Sequence, residues 1–427
     1  MPENDLDEKG NHGQLTATGI GQRSSAFTSS RLPWMICGVL LVLLIASLWH
    51  SSRSSRHIGD PDSDAPYFRG HPGPWGQVEF ARIYLEPADA FIPVDAHFFG
   101  TTRWFFENYT RETLGAFFGR CGLSAAQHTE LMDPAIWTVE TNGILVLPRD
   151  ELVLGLAAPA RAQIYSVLAQ SRQNILELWP FRARSGTFDD WFEGNGLSPG
   201  TIKLLKQLVY TRGPSLCFSD LPIVFPRIAT DEERRRLMKT LAHTPALLMK
   251  LKINPDSDAD ALADYWAKGW RSKDIQILLE SLKKIPGGTT LDVAHLLTPF
   301  ARKRLYTYPI PPANRSETMP NCFWTAMNFY NDTPDDRFYD RPTWEHELEQ
   351  NYTEVSEPTF GDLIFFETVD GLLIHACVYV ADDVVFTKNG DSYCHPWILM
   401  KWDDLVADYA MNDRLKVRIF RPKFRTE

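Results

Sequence analysis

The sequence predicts an α+β protein with three parts: an N-terminal transmembrane helix, a mainly α-helical middle domain, and a C-terminal helix followed by an antiparallel sheet. Three observations predict it. An uncharged apolar stretch occupies 32–49, capping signals and 3.6-residue apolar spacing recur from 76 to 300, and short apolar runs separated by Asp-Gly and Asp-Asp turns fill 301–427. Composition narrows the class. At 44% hydrophobic and 23% charged residues the chain is globular rather than fibrous or disordered. Its 44 Lys and Arg against 54 Asp and Glu give a net charge of −10, so nucleic acid is not an expected partner, because phosphate binding needs a basic face. Six cysteines in 427 residues do not make a disulfide framework.

Residues 1–31, rich in Gly, Ser, Thr and Asn, are expected to be a disordered tail. Residues 32–49 then form an 18-residue run without a charge, which at ~1.5 Å per residue reaches roughly 27 Å, near the thickness of a bilayer core. Trp34 and Trp49 lie near its ends, where amphipathic rings favour the headgroup region. A long polar lead and the lack of a small-x-small cleavage site distinguish it from a signal peptide. The expectation is a single-pass anchor contacting the bilayer, with the C-terminal domains extracytoplasmic (periplasmic). Residues 50–75, rich in Ser, Arg, Asp, Gly and Pro, read as a linker.

Residues 76–300 are read as one mainly helical domain. Ser124 with Gln127 and Thr230 with Glu233 match the capping box, and Ser198-Pro199 is a cap followed by proline at the first helical position. Ile275, Leu278, Leu279 and Leu282 mark one apolar helix face that Pro286-Gly287-Gly288 terminates. Gly143–Leu147 and Leu221–Phe225 read as strands. No metal site is expected: Asp256, Asp258 and Asp260 mimic a calcium loop, but Ala261 and Trp266 replace its Gly and Glu. His346-Glu347 opens a zinc-protease pattern whose second histidine is Gln350.

The chemistry-bearing residues lie in 301–427. Asn321 is placed to cap a helix that starts at Cys322, which puts the thiol beside unpaired N–H groups that favour thiolate and could hold an oxyanion. His375 opens a strand 53 residues later and could take the thiol proton. A third group should orient the ring. A two-residue turn at Asp382-Asp383 places Lys388 on the face of His375, whereas a three-residue turn places Asn389 directly opposite it. A carboxamide can accept from the ring N–H and a lysine cannot, so Asn389 is the preferred candidate, with Thr387 as its rival. The bland reading is that such a cysteine is a small buried hydrophobe, as expected for Cys121, Cys217 and Cys377.

The ordered set Asn321-Cys322, Gly361-Asp362-Leu363-Ile364-Phe365-Phe366 and His375 through Tyr379 resembles the NlpC/P60 superfamily of papain-like cysteine peptidases and amidases. The resemblance covers about 300–427. It implies a papain-like fold there, with Cys322 as nucleophile, His375 as base and Asn389 or a neighbour as orienting group; Tyr308 could fill the family's upstream tyrosine. Phe323 and Trp324 stand where the family carries small residues, and Thr387 stands where it commonly has histidine. The implied function is a membrane-anchored cysteine hydrolase that cleaves amide bonds in a peptide or peptidoglycan-like substrate without cofactor or metal. Two alternatives remain: a catalytically inactive, membrane-tethered interaction module, and a lipid acyltransferase or hydrolase of the same fold.

Overall fold

Residues 67–183, 188–192, 195–213, 215–268, 271–311, 318–409 and 415–423 are described by a computed structural model of the chain. A long ladder joins two strands that are far apart in sequence. Gln77–Leu85 pairs antiparallel with Thr244–Ile253, from Gln77↔Lys252 to Leu85↔Thr244, so residues 86–243 leave and return as an insertion. Phe68–Arg69 and Thr289–Asp292 complete this four-stranded sheet. Leu247, Met249, Leu251 and Ile253 alternate along one strand and bury one of its faces.

The insertion has its own core, in which Trp104, Phe106, Phe118, Ile164, Phe218 and Leu237 meet. Two three-stranded antiparallel sheets lie among its helices: Trp104–Glu107, Gly143–Val146 and Trp137–Glu140 in one, and Phe181–Ala183, Ser215–Phe218 and Tyr210–Arg212 in the other. The Ser124–Gln127 box is complete. At Thr230 only half of it forms, because Glu233 turns away to accept from the Ser198 N–H and the Thr201 hydroxyl, both at 2.8 Å.

The expected fold class needs correction. Among the described residues no helix is long and apolar enough to cross a membrane, and the 32–49 stretch lies outside the described residues. The middle of the chain is α+β rather than mainly helical, because strands of three to ten residues alternate with its helices. Most of these strands are too short for period-two alternation to emerge from the sequence. Leu221–Phe225, read as a strand, is helical over Leu221–Val224, with Pro222 in the first turn, where its missing N–H costs nothing.

The C-terminal region forms a six-stranded antiparallel sheet in the order Tyr352–Val355, Lys416–Pro422, Leu363–Glu367, Leu373–Ala381, Val384–Lys388, Trp397–Lys401. One face packs on the short helix Cys322–Met327 through Phe365, Val378, Phe386 and Leu399, in a core continuous with Val78, Phe80 and the helices Ala259–Ala267 and Ser272–Lys283. The other face carries Ile364, Phe366, Cys377, Val385 and Met400 under Leu405 of the helix Trp402–Tyr409. The Gly-Asp-Leu motif has structural work at its first two positions. Gly361 has φ +83°, and a Cβ there would collide with the Tyr330 hydroxyl. Asp362, 1% exposed, is gripped through both oxygens by Arg421 at 2.7–3.1 Å.

Candidate functional site

Asn321 has extended backbone and accepts from the Trp324 N–H at 2.9 Å, so Cys322 is the first helical residue. The two bulky neighbours point away from the thiol's chemistry. Phe323 stacks on Trp344 at 4.7 Å, and Trp324 stacks on Tyr339 at 5.4 Å while its indole donates to Asp336.

The sulfur meets the histidine strand at its backbone. Tyr379 directs its N–H and C=O toward Asp362 and Gly361, so by strand alternation Ala376 directs its N–H to the opposite side, toward Val384–Lys388. Ladder pairing on that side reaches only Val378↔Phe386. The backbone N–H groups of Ala376, Phe323 and Cys322 lie near the Cys322 sulfur and favour its thiolate. The thiol therefore sits beside the residue that directly follows His375. Burial dominates these donors and pushes the thiol up to about 11; Cys322 is 5% exposed.

His375 is fully buried, and its ring points to the other face of the sheet with Cys377 and Tyr379. Nε2 lies 3.1 Å from Thr387 Oγ1, while Nδ1 has no hydrogen-bond partner. No hydrogen bond joins either nitrogen to Cys322. Burial holds the ring's pKa down at about 3, so it is neutral. Tyr409 covers it in a stacked arrangement with centroids 4.2 Å apart, and Phe366 flanks it at 5.7 Å.

The nitrogen that Asn389 was expected to hold is held by Thr387. Asn389 stands one bond behind, accepting from the Thr387 hydroxyl at 3.1 Å. The register explains why. The turn at Asp382-Asp383 has two residues, with Ala381 paired to Val384, but a register shift between Tyr379 and Ala381 adds a residue to one strand. Beyond it Tyr379↔Val385 and Val378↔Phe386 continue toward His375↔Asn389, and the side chain that reaches the ring is the shorter Thr387. Lys388 points to the Cys322 side instead. Its ammonium donates to the carbonyls of Gly390 and Ser392 at 2.8 and 2.9 Å, with burial lowering its pKa to about 8, and its positive charge opposes the rise at Cys322. Tyr308 has a buried hydroxyl with no partner, and its charge neighbours are Cys394 and Glu86 rather than Cys322.

Two residues of this site carry no local sequence signal. Tyr409 is one of 14 tyrosines, far from any motif. Lys388 ends the strand after Thr387, and only the register, which the sequence leaves open, puts it on the Cys322 side. No family model matches the chain, and no curated protein and no solved structure matches it either.

Proposed function

We propose that the C-terminal region is a papain-like cysteine hydrolase of the NlpC/P60 type acting on amide bonds, in a shut resting state. The observation that carries this reading is the bare Nδ1 of a fully buried imidazole whose other nitrogen is committed to Thr387, on the residue before the Ala376 N–H that lies near the Cys322 sulfur. A buried acceptor without a donor is costly, and its retention is explained if it receives a proton during a reaction.

In that reaction the strand at His375 first turns the ring to the Cys322 side of the sheet; Nδ1 then takes the Cys322 proton and the sulfur attacks the amide carbonyl. The oxyanion forms near the N–H groups at the helix start. The imidazolium returns the proton to the leaving amine, leaving a thioester. Nδ1 then deprotonates a water that attacks the thioester, and the proton ends on the thiol as the acid departs. With the thiol near 11 and the ring near 3, the resting pair is neutral on both sides. Activity therefore requires Tyr409 to leave the ring, which admits water and relieves the burial behind the shift at His375, and a second opening on the Cys322 side. A cell-wall stem peptide is the substrate class that the resemblance favours.

The rival is a non-catalytic binding module, favoured by the absence of a Cys322–His375 hydrogen bond and by the buried thiol. Labelling with a peptide vinyl sulfone and turnover of muramyl stem peptides separate the two. Modification of Cys322, its loss in Cys322→Ala, and faster labelling of Tyr409→Ala by about tenfold or more are expected. An unlabelled Cys322 in Tyr409→Ala would establish the rival.

A further inference from the structure

The hydrogen bonds behind His375 end on an acid from a different element. Asn389 accepts from Thr387 through Oδ1 and donates through Nδ2 to Asp408 Oδ2 at 3.3 Å, with Met400 Sδ also near that amide at 3.5 Å. Asp408 lies in the helix Trp402–Tyr409, and its backbone carbonyl accepts from Arg182 of the insertion at 2.8 Å.

A carboxylate can only accept, and that fixes the direction of every bond in the chain. Asn389 must present its NH2 to Asp408, because the flipped amide would set oxygen against oxygen. Its own oxygen then faces Thr387, which spends its single hydroxyl proton there. Thr387 is left to accept from the ring, so the proton of the neutral imidazole is on Nε2 and the lone pair is on Nδ1. That is the tautomer a base working through Nδ1 needs.

We propose that Asp408 is a positioning residue: its carboxylate, acting through Asn389 and Thr387, sets the tautomer of His375. The catalytic meaning of this role rests on the hydrolase reading; the tautomer itself does not. The same helix carries Tyr409 over the ring, so the element that covers the base also orients it.

The test is the ring-nitrogen spectrum of the full chain labelled with 15N-histidine, with His375 assigned by the signals lost in His375→Gln. The wild type should show His375 protonated at Nε2 alone. Asp408→Asn should mix the two tautomers, and so should Thr387→Val, which cuts the same chain at the ring. Asp404→Asn, on the same helix but paired with Arg82, should leave the tautomer unchanged. Turnover of muramyl stem peptides should fall roughly tenfold or more in Asp408→Asn with KM held. An unchanged tautomer in Asp408→Asn overturns the proposal, whatever the activity. A shifted tautomer in a protein that turns over no stem peptide keeps the relay and removes the hydrolase reading.

Discussion

Two buried polar centres, one in the insertion and one in the C-terminal sheet, are compensated in opposite ways. In the insertion Arg161 is fully buried and faces Asp220 at 3.5 Å, and it donates to the carbonyls of Gln207 and Val153 at 2.7 and 2.5 Å. The Tyr165 hydroxyl binds the other Asp220 oxygen. In the sheet His375 is equally buried, yet one of its two nitrogens has nothing. A paired charge in a dry interior is architecture: it costs little while intact and much when one partner is lost. A bare lone pair in the same kind of interior adds nothing to stability, so burial alone does not separate scaffold from chemistry. Charge does: Arg161 Nε and Asp220 Oδ2 also lack hydrogen bonds, but each faces the opposite charge, whereas Nδ1 of His375 faces none.

The sharpest way to break the comparison is Asp220→Ala, which leaves Arg161 without its counter-charge. A loss of ~3–5 kcal/mol is expected, read from the urea midpoint; a loss below ~1 kcal/mol would show that the pair does not hold the insertion together. Acid comes next. The folded pKa of His375, about 3, is below the unfolded value, so the unfolded chain binds the proton first. This group's contribution is therefore complete above about pH 6.5 and is lost as pH falls toward 3, at up to ~1.4 kcal/mol per pH unit. His375→Gln should flatten that part of the stability curve relative to the parent. An effect of similar size has the opposite sign. Burial first, and then the neighbouring Asp220, raise Glu177 to about 8, so its contribution is complete below about pH 4 and is lost as pH rises through 8. Glu177→Gln should match the parent at pH 4 and exceed it at pH 9 by up to ~5 kcal/mol in urea melts.

What could be read from the sequence was local. The Asn321 cap, the Ser124–Gln127 box and the Asp382-Asp383 turn each depend on residues within a few positions of one another. What could not be read was set by partners distant in sequence or by a single backbone irregularity. Gln77–Leu85 finds its partner strand only after the whole insertion. The choice between Thr387 and Asn389 as the ring's neighbour turns on the register shift beside Val380, which no composition signal announces. The cover over His375 comes from Tyr409, which packing alone selects.

The long ladder of the four-stranded sheet has a topological consequence. Because Leu85 stands opposite Thr244, the chain departs and re-enters across one strand spacing, ~5 Å. Length changes at such a seam leave the register of the two strands on either side intact, while the contacts the segment makes elsewhere, such as Arg182 on the Asp408 carbonyl, would change. The segment at 86–243 thus enters and leaves the sheet at one end of a single strand pair.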